Sequence, residues 1–144
     1  MSFLLDTNVV SDMRRKNRLP RRALDWLQRQ DVDGLHISAL TMMEIEIGIQ
    51  RIARRDPKQA LTLRAWKEGP LTREFRGRIL PVDLEVAERC AALHVPDPRP
   101  AIDALIAATA IIHRLTLVTR DERDFAGMPV RVANPWREAP EIGR

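Results

Sequence analysis

Four acidic residues stand where a chain of alternating strands and helices would carry its chemistry. Asp6 follows the apolar run FLL, and Glu44 lies in the first turn of the helix expected after LHIS. Asp103 begins the Ala-rich segment AIDALIAATA, and Asp121 follows LTLVT. Ligands of open α/β sheets bind beyond the carboxyl ends of the strands, so we expect these four acids to converge on one cleft.

Converging carboxylates favour a site for a divalent cation. Unpaired anions repel one another and raise each other's pKa, whereas Mg²⁺ or Mn²⁺ binds through oxygen ligands of this kind. The histidines His36, His94 and His113 are scattered, which argues against a zinc site with nitrogen ligands. Thr7 and Thr119 border the expected cleft and would either orient a water or a phosphate or satisfy backbone groups.

Each acid also has a purely structural interpretation, which the residues alone leave open. Asp6 is a candidate N-cap for a helix that starts near Val9. Glu44 follows Thr41 at the spacing of a capping box. The acids at the other two positions would complement a helix dipole or hold a polar turn. The shared edge of the sheet favours a common site, but Asp83 also lies between a strand and a helix, so position alone does not decide between the two interpretations.

The remaining polar candidates are assigned to structure or to solvent. Glu46 lies two residues after Glu44 and so points to another face of the helix, towards solvent. Asp83 is expected to be an N-cap, and Asn8 to satisfy backbone groups. The single cysteine, Cys90, has helical spacing from apolar neighbours and is expected to pack in the core.

Strand-like and helical segments alternate along the chain. SFLL, LHIS, GRILPVD, LTLVT and PVRV have the character of strands, whereas RALDWLQRQ, TMMEIEIGIQRIARR, LEVAERCAALH and AIDALIAATAIIHR have that of helices. VPDPRP must be a loop because each proline restricts its own backbone and its neighbour's. We therefore predict an α/β fold with a central, mainly parallel β-sheet flanked by helices on both faces. One domain is expected over residues 1–133, with a C-terminal tail over 134–144 whose start Trp136 would pin.

Composition indicates a soluble protein with locally concentrated positive charge. Apolar residues make up 44% of the 144 residues, no apolar run reaches membrane-spanning length, and no basic region precedes the first apolar run. A cytoplasmic location is therefore expected. The net charge is +4, and residues 13–30 hold seven basic residues against one acid. Such a segment binds phosphates or a partner, or is simply solvated; its candidate contact residues are Arg14, Arg15, Lys16, Arg18, Arg21 and Arg22.

Four motifs, in this order, resemble the PIN domain of VapC-type toxins. They are LLDTNVVSD, EIEIG, IDALIAATA and LVTRDERDF, and GRILPVD and NPW are similar to features of the FitB-like branch. The resemblance covers nearly the whole chain and implies a PIN-like fold. It also implies a Mg²⁺- or Mn²⁺-dependent endoribonuclease whose metal is bound by Asp6, Glu44, Asp103 and Asp121, with Asp6 and Asp103 as the primary ligands.

The segment TRDERDF departs from the TRN and DF pattern of many relatives. Asp121 matches the FitB-like form, Asp124 is the reserve candidate for the fourth acid, and Glu122 is assigned to solvent. The partners implied by the resemblance are an RNA substrate, a VapB- or FitA-like antitoxin and a second copy of the chain in a toxin–antitoxin hetero-oligomer. DNA would be bound only through the antitoxin, and no membrane is involved.

Two alternatives belong to other functional classes. A catalytically inactive PIN-like module would bind RNA or protein without cleavage, but it predicts that one of the acids is missing. A phosphatase of the haloacid dehalogenase type needs a second aspartate two residues after the first. Asn8 occupies that position, and a carboxamide cannot donate the required proton.

Overall fold

A five-stranded sheet forms the centre of the computed structural model, which describes residues 1–137. Its strands are β1 (Phe3–Leu5), β2 (Leu35–Ser38), β3 (Ile79–Leu80), β4 (Thr116–Val118) and β5 (Val132–Ala133). All neighbouring strands are parallel, in the order β3-β2-β1-β4-β5. The chain therefore winds outward from β1 in both directions, which opens a crevice at the carboxyl end of β1. The predicted fold class is confirmed.

Helices connect the strands. They are α1 (Thr7–Met13), α2 (Arg21–Gln28), α3 (Ala39–Ala53), α4 (Pro57–Trp66), α5 (Thr72–Glu74), α6 (Leu84–Leu93) and α7 (Ala101–Ile112). Short 3₁₀ turns cover Lys16–Arg18, Val32–Gly34 and Glu122–Phe125, and a π-helical turn covers Lys67–Leu71. The region from α4 to α5 was not predicted. In α4 only Ala60 is fully buried, so this helix lacks the apolar stripe that reveals a helix in the sequence.

Successive residues of β1 face opposite sides of the sheet and divide the core. Phe3 and Leu5 pack with α1, α2 and α3, and Phe3 meets Trp26 edge to face at 5.0 Å between ring centroids. Leu4 packs with α6 and α7. Cys90 is buried in this second core, as expected. All three residues of β1 are buried, so the strand is fixed from both sides.

The ends of α6 and α7 are defined by the residues predicted there. The Asp83 carboxylate accepts a hydrogen bond from the Val86 N–H (3.0 Å), which confirms its role as the N-cap of α6. The proline-rich segment before α7 has no helix or strand, also as predicted. Asp103 then falls in the first turn of α7. Four buried alanines of this helix allow it to lie close to its neighbours.

The described chain ends soon after β5. Trp136 packs against the first core and its backbone N–H donates to Asn134 Oδ1 (3.0 Å). The predicted tail lies outside the described residues from position 138 onward, so the boundary at residue 133 stays a prediction. None of the helices among residues 1–137 has the length and apolar character needed to cross a membrane.

Candidate metal centre and active site

Asp6 is nearly buried at the end of the central strand, with 7% of its surface exposed. Its backbone N–H donates to the Val118 carbonyl (2.9 Å), which extends the pairing of β1 with β4 by one residue. Its carboxylate accepts hydrogen bonds from the Thr7 N–H and from the Thr119 hydroxyl, both at 2.8 Å. Asp6 is also the N-cap of α1, which begins at Thr7 rather than near Val9. The capping role and a site role therefore coexist.

Four acids share one electrostatic environment. Burial raises the pKa of Asp6 above its ordinary value, against the hydrogen bonds that its carboxylate accepts, and the charges of Glu44 and Asp124 raise it further. Burial likewise raises the pKa of Asp103 to about 6, with contributions from the charges of Asp124, Asp6 and Glu44. The charges of Glu44 and Asp124 therefore act on both Asp6 and Asp103.

Glu44 occupies a different position in α3 from the one expected. This helix begins directly after Ser38, whose hydroxyl accepts a backbone N–H of the first turn, so Glu44 lies in the second turn. Thr41 is inside the helix, and the capping-box interpretation is wrong. Instead, the Thr7 hydroxyl donates to Glu44 Oε1 (2.5 Å) and lies 3.0 Å from Thr41 Oγ1. Because Thr7 has one hydroxyl proton, Thr41 must donate to Thr7.

Asn8 bridges the acids, a role that sequence reasoning missed. Its Nδ2 donates to Asp121 Oδ2 (2.9 Å) and lies 3.4 Å from both Asp6 Oδ2 and Thr119 Oγ1. The expected backbone contact is also present, since Asn8 Oδ1 lies 3.4 Å from the Arg120 N–H. Thr119 Oγ1 in turn accepts the Asp121 N–H (3.1 Å). The only signal in the sequence was a carboxamide two residues after Asp6, in the first turn of a helix.

The two candidates for the fourth acid differ in their surroundings. Asp121 and Asp124 are both exposed and lie at the N-cap and within the 3₁₀ turn after β4, respectively. Asp121 is hydrogen-bonded to Asn8, whereas the charge of Asp124 acts on both Asp6 and Asp103. The structure therefore brings the reserve candidate into the cluster.

An ion pair between a buried carboxylate and a half-exposed arginine, also missed, holds the loop that carries these acids. Asp12, in the last turn of α1, is 6% exposed, and its Oδ2 lies 2.6 Å from Arg120 Nη1. The Arg120 carbonyl accepts a hydrogen bond from Asn134 Nδ2 (3.2 Å). The loop after β4 is thus tied to α1 and to the segment after β5. In the sequence, this ion pair was indicated by the position of Asp12, which lies three residues after the buried Val9 and so on the apolar face of α1.

Two acids assigned to solvent are instead paired. Glu46 Oε1 lies 2.8 Å from Arg64 Nη1 and 2.5 Å from Lys67 Nζ, and hydrogen bonds from these groups lower the pKa of Glu46 to about 2. Glu122 Oε2 lies 2.6 Å from Arg137 Nη1. Glu46 therefore joins α3 to α4, and Glu122 joins the 3₁₀ turn to the segment after β5.

The six basic candidates do not form one surface. Three of them, Arg14, Arg15 and Arg18, line a cleft that Thr7 and Glu44 also line. Lys16 lines other grooves, beside Met13 and Glu74. Arg21 and Arg22 are exposed on α2, where Arg21 Nε lies 3.3 Å from Asp25. Only the first three are candidates for contact with a ligand at the acids.

The acid cluster fits a divalent cation by its donor chemistry. It offers carboxylate oxygens, which Mg²⁺ and Mn²⁺ prefer, and no Lys or Arg among residues 1–137 forms an ion pair with its members. A cation would therefore offset the burial and the repulsion that raise the pKa of Asp6 and Asp103. Within the same residues, no three His, Cys, Asp or Glu side chains have the spacing of a complete metal site. The fit thus depends on donor type and charge, and not on a preformed ligand shell.

Known proteins resemble this chain over nearly its entire length. The sequence profile of the PIN domain matches residues 3–130. Toxin FitB of Neisseria gonorrhoeae is 36% identical over 141 residues, which are 94% of this chain and 99% of the relative. VapC ribonuclease Y4jK of Sinorhizobium fredii is 31% identical over 142 residues, 95% of this chain and 99% of the relative.

Solved structures of toxins are also similar to this chain over nearly its entire length. The crystal structure of FitAcB from Neisseria gonorrhoeae is similar at a TM-score of 0.83 and 34% identity, covering 94% of this chain and 99% of that one. A toxin–antitoxin complex from Klebsiella pneumoniae is similar at a TM-score of 0.64 and 31% identity, covering 95% and 100%. This chain therefore belongs to the PIN-domain family, among its FitB- and VapC-type toxins.

Proposed function

We propose that this toxin is an endoribonuclease that hydrolyses RNA phosphodiester bonds with Mg²⁺ or Mn²⁺ held by carboxylates. The observation that carries the proposal is the cluster of Asp6, Glu44, Asp103 and Asp124, in which burial, and then the repulsion between neighbouring acids, raises the pKa of Asp6 and Asp103. A fold would not keep such repulsion in a crevice for stability alone. The ribonuclease named among the relatives supports the same reaction.

The roles of the acids follow from their burial and contacts. Asp6 and Asp103 would be the principal ligands, because burial and neighbouring charges disfavour their ionised forms, which a bound cation would favour. Glu44 would complete the site with one acid of the loop after β4. The charge of Asp124 acts on both principal ligands, which supports Asp124 as this fourth acid. Asp121 would not bind the cation and would instead hold Asn8 in place through their hydrogen bond.

Hydrolysis needs an activated water and relief of negative charge on the phosphate. A bound divalent cation supplies both by lowering the pKa of water and by stabilising the developing charge. The chain's own groups hold the acids in place. The Thr119 hydroxyl donates a hydrogen bond to one carboxylate oxygen of Asp6, and the Thr7 hydroxyl donates one to Glu44. These hydrogen bonds fix the orientation of both carboxylates. No nucleophilic side chain is required.

The phosphatase alternative lacks its general acid. That mechanism needs a proton donor at position 8, and the Asn8 carboxamide donates its N–H to Asp121 instead. The inactive-module alternative is decided by the assay described below, because it predicts binding without cleavage.

The partners proposed are those of the toxins that this chain resembles. One similar structure is a toxin–antitoxin complex, which supports a VapB- or FitA-like antitoxin for this chain. Such an antitoxin would close the crevice and connect the pair to DNA. A homodimer within the hetero-oligomer is part of the same proposal.

Cleavage of RNA by the purified protein, with Mg²⁺, Mn²⁺ or EDTA, tests the function. Asp6→Asn and Asp103→Asn preserve shape and remove one charge each, and we expect each to lower the rate by more than ~100-fold, since even partners of metal ligands contribute 10- to 100-fold. Asp83→Asn is the matched control, because it caps α6 outside the cluster. Cleavage that survives both the chelator and the two substitutions would refute the proposal. Mn²⁺ binding, followed by electron paramagnetic resonance, reports on the ligands independently of activity.

A further inference from the structure

A cleft of about 320 Å³ runs beside helix α3 and is continuous with the acid cluster. Thr7 and Glu44, which are hydrogen-bonded to each other within the cluster, contribute to its lining. The segment from α1 to the following 3₁₀ turn lines it as well, and so do apolar residues of α3 and α4. A polymer bound at the acids would extend into this space.

One side of the cleft carries positive charge that the protein does not neutralise. Arg14, Arg15 and Arg18 contribute to the lining, and none of them forms an ion pair within the described residues 1–137. Burial, together with the charges of Arg15 and Arg18, lowers the pKa of Arg14. Three unpaired guanidinium groups at one surface are suited to consecutive phosphates of a nucleic acid backbone.

At Gly48, helix α3 presents no side chain to the cleft. Gly48 lies four residues after Glu44, on the same face of the helix, and contributes to the lining. A Cβ atom built at this position meets nothing within 4 Å. Glycine inside a helix is destabilising relative to alanine. Because a Cβ atom would fit here, the immediate packing gives no reason for glycine, whereas a ligand that passes close to the helix does.

An aromatic side chain completes the cleft. Trp66, at the end of α4, is partly buried against the first core and also lines the cleft. Unpaired bases stack on exposed aromatic faces, which duplex RNA cannot do without opening. The chain has only six aromatic residues, so a tryptophan at this position is not a consequence of composition.

We propose that this cleft is the path of single-stranded RNA, with its backbone passing over Gly48 and its phosphates on Arg14, Arg15 and Arg18. The inference rests on the proposed ribonuclease function and adds where the strand lies and why position 48 has no side chain. Lys16, Arg21 and Arg22 do not line the cleft and are not part of the path.

Substitution of Gly48 separates ligand binding from folding. In Gly48→Leu the side chain enters the open cleft, and the helix gains a residue of higher propensity, so the urea midpoint of unfolding should not fall. Binding of a fluorescein-labelled single-stranded oligoribonucleotide, measured by anisotropy in EDTA, should weaken at least ~10-fold through displacement of one charged contact. Gly48→Ala should give a smaller loss, so affinity should follow side-chain size and not stability.

The arginines are tested by the salt dependence of the same binding. Each phosphate contact in a single strand contributes about 0.7 to the slope of log affinity against log salt concentration. Arg14→Ala should reduce the slope by about this amount. Arg22→Ala removes the same charge from an exposed position of α2 outside the cleft, and it should leave the slope unchanged.

Three results would overturn the inference. The first is an RNA affinity that Gly48→Leu leaves unchanged. The second is that duplex RNA of the same sequence binds as well as the single strand and depends in the same way on position 48. The third is that the unsubstituted protein does not bind RNA. If the first of these results is accompanied by loss of a co-expressed antitoxin from Gly48→Leu, the cleft is assigned to protein instead. The cleavage assay with Asp6→Asn and Asp103→Asn does not depend on position 48, so failure of the proposed function is recognised separately.

Discussion

Replacement of Asp103 by asparagine should stabilise the metal-free protein at neutral and alkaline pH. The pKa of Asp103 rises from 3.8 to about 6, mainly through burial and then through the charges of Asp124, Asp6 and Glu44. At about 1.4 kcal/mol per pH unit, this difference corresponds to about 3 kcal/mol against the ionised folded state. Asp103 is only half-buried, so solvent screening reduces the penalty to about 1 to 2 kcal/mol.

The pH dependence has a defined sign. Because the pKa of Asp103 is higher in the folded than in the unfolded state, the folded protein binds more protons between the two values, 3.8 and about 6. The free energy of unfolding therefore falls as pH rises through this window. Below it the carboxyl is neutral in both states and the penalty disappears. Asp103→Asn should exceed the unsubstituted protein by about 1 to 2 kcal/mol at pH 8 and match it at pH 3.5.

Urea unfolding in EDTA, followed by tryptophan fluorescence at several pH values, measures this difference. Asp83→Asn is the control, because asparagine is as good an N-cap as aspartate, so its free energy of unfolding at pH 8 should match that of the unsubstituted protein. Mn²⁺ should stabilise the unsubstituted protein more than Asp103→Asn, since a ligand stabilises the state that binds it. An Asp103→Asn protein that is less stable at pH 8, or equally stabilised at pH 3.5, would refute the electrostatic account.

Three further changes test the contacts around the acids. Arg120→Ala should lower the free energy of unfolding, measured in urea titrations, by about 2 kcal/mol, because it leaves the buried Asp12 carboxylate unpaired. The arginine itself is 45% exposed. A change below about 0.5 kcal/mol would contradict this expectation. Asn8→Ala should weaken Mn²⁺ binding by about 10-fold, through loss of the amide that lies between Asp121 and the proposed ligand Asp6, with little effect on the unfolding midpoint; unchanged affinity would exclude that role. Ser38→Ala should cost about 1 kcal/mol in the same titrations through loss of the cap of α3, and Ser38→Asn, which can cap, should recover most of it.

The fold was predictable where burial leaves a pattern in the sequence. β1 is three buried apolar residues followed by Asp6, and α6 shows its cap at Asp83 and its buried stripe through Val86 and Cys90. Helix α4 was not predicted, because its contacts are made by partly buried side chains and by the pairing of Arg64 with Glu46. Such long-range pairs have no local signature.

The site was predictable in position but not in detail. Parallel topology brings Asp6 and the acids after β4 to one edge, whereas Asp103, in the first turn of α7, was selected as a primary ligand because of the family resemblance. The choice between Asp121 and Asp124 was beyond the sequence, because it depends on how a single 3₁₀ turn is rotated. Asn8 was beyond it too, since a carboxamide serves backbone and side chains by the same chemistry.

The central place of β1 ties the acid cluster to the synthesis of nearly the whole chain. β1 pairs with β2, some 30 residues later, and with β4, more than 110 residues later. The hydroxyl of Thr119 that fixes Asp6 arrives only after β4. Contacts of such sequence separation form late in folding. A nascent chain that ends before β4 can pair β1 with β2 only, and it lacks both Thr119 and Asp124. An interrupted translation product of this toxin therefore has an incomplete acid cluster.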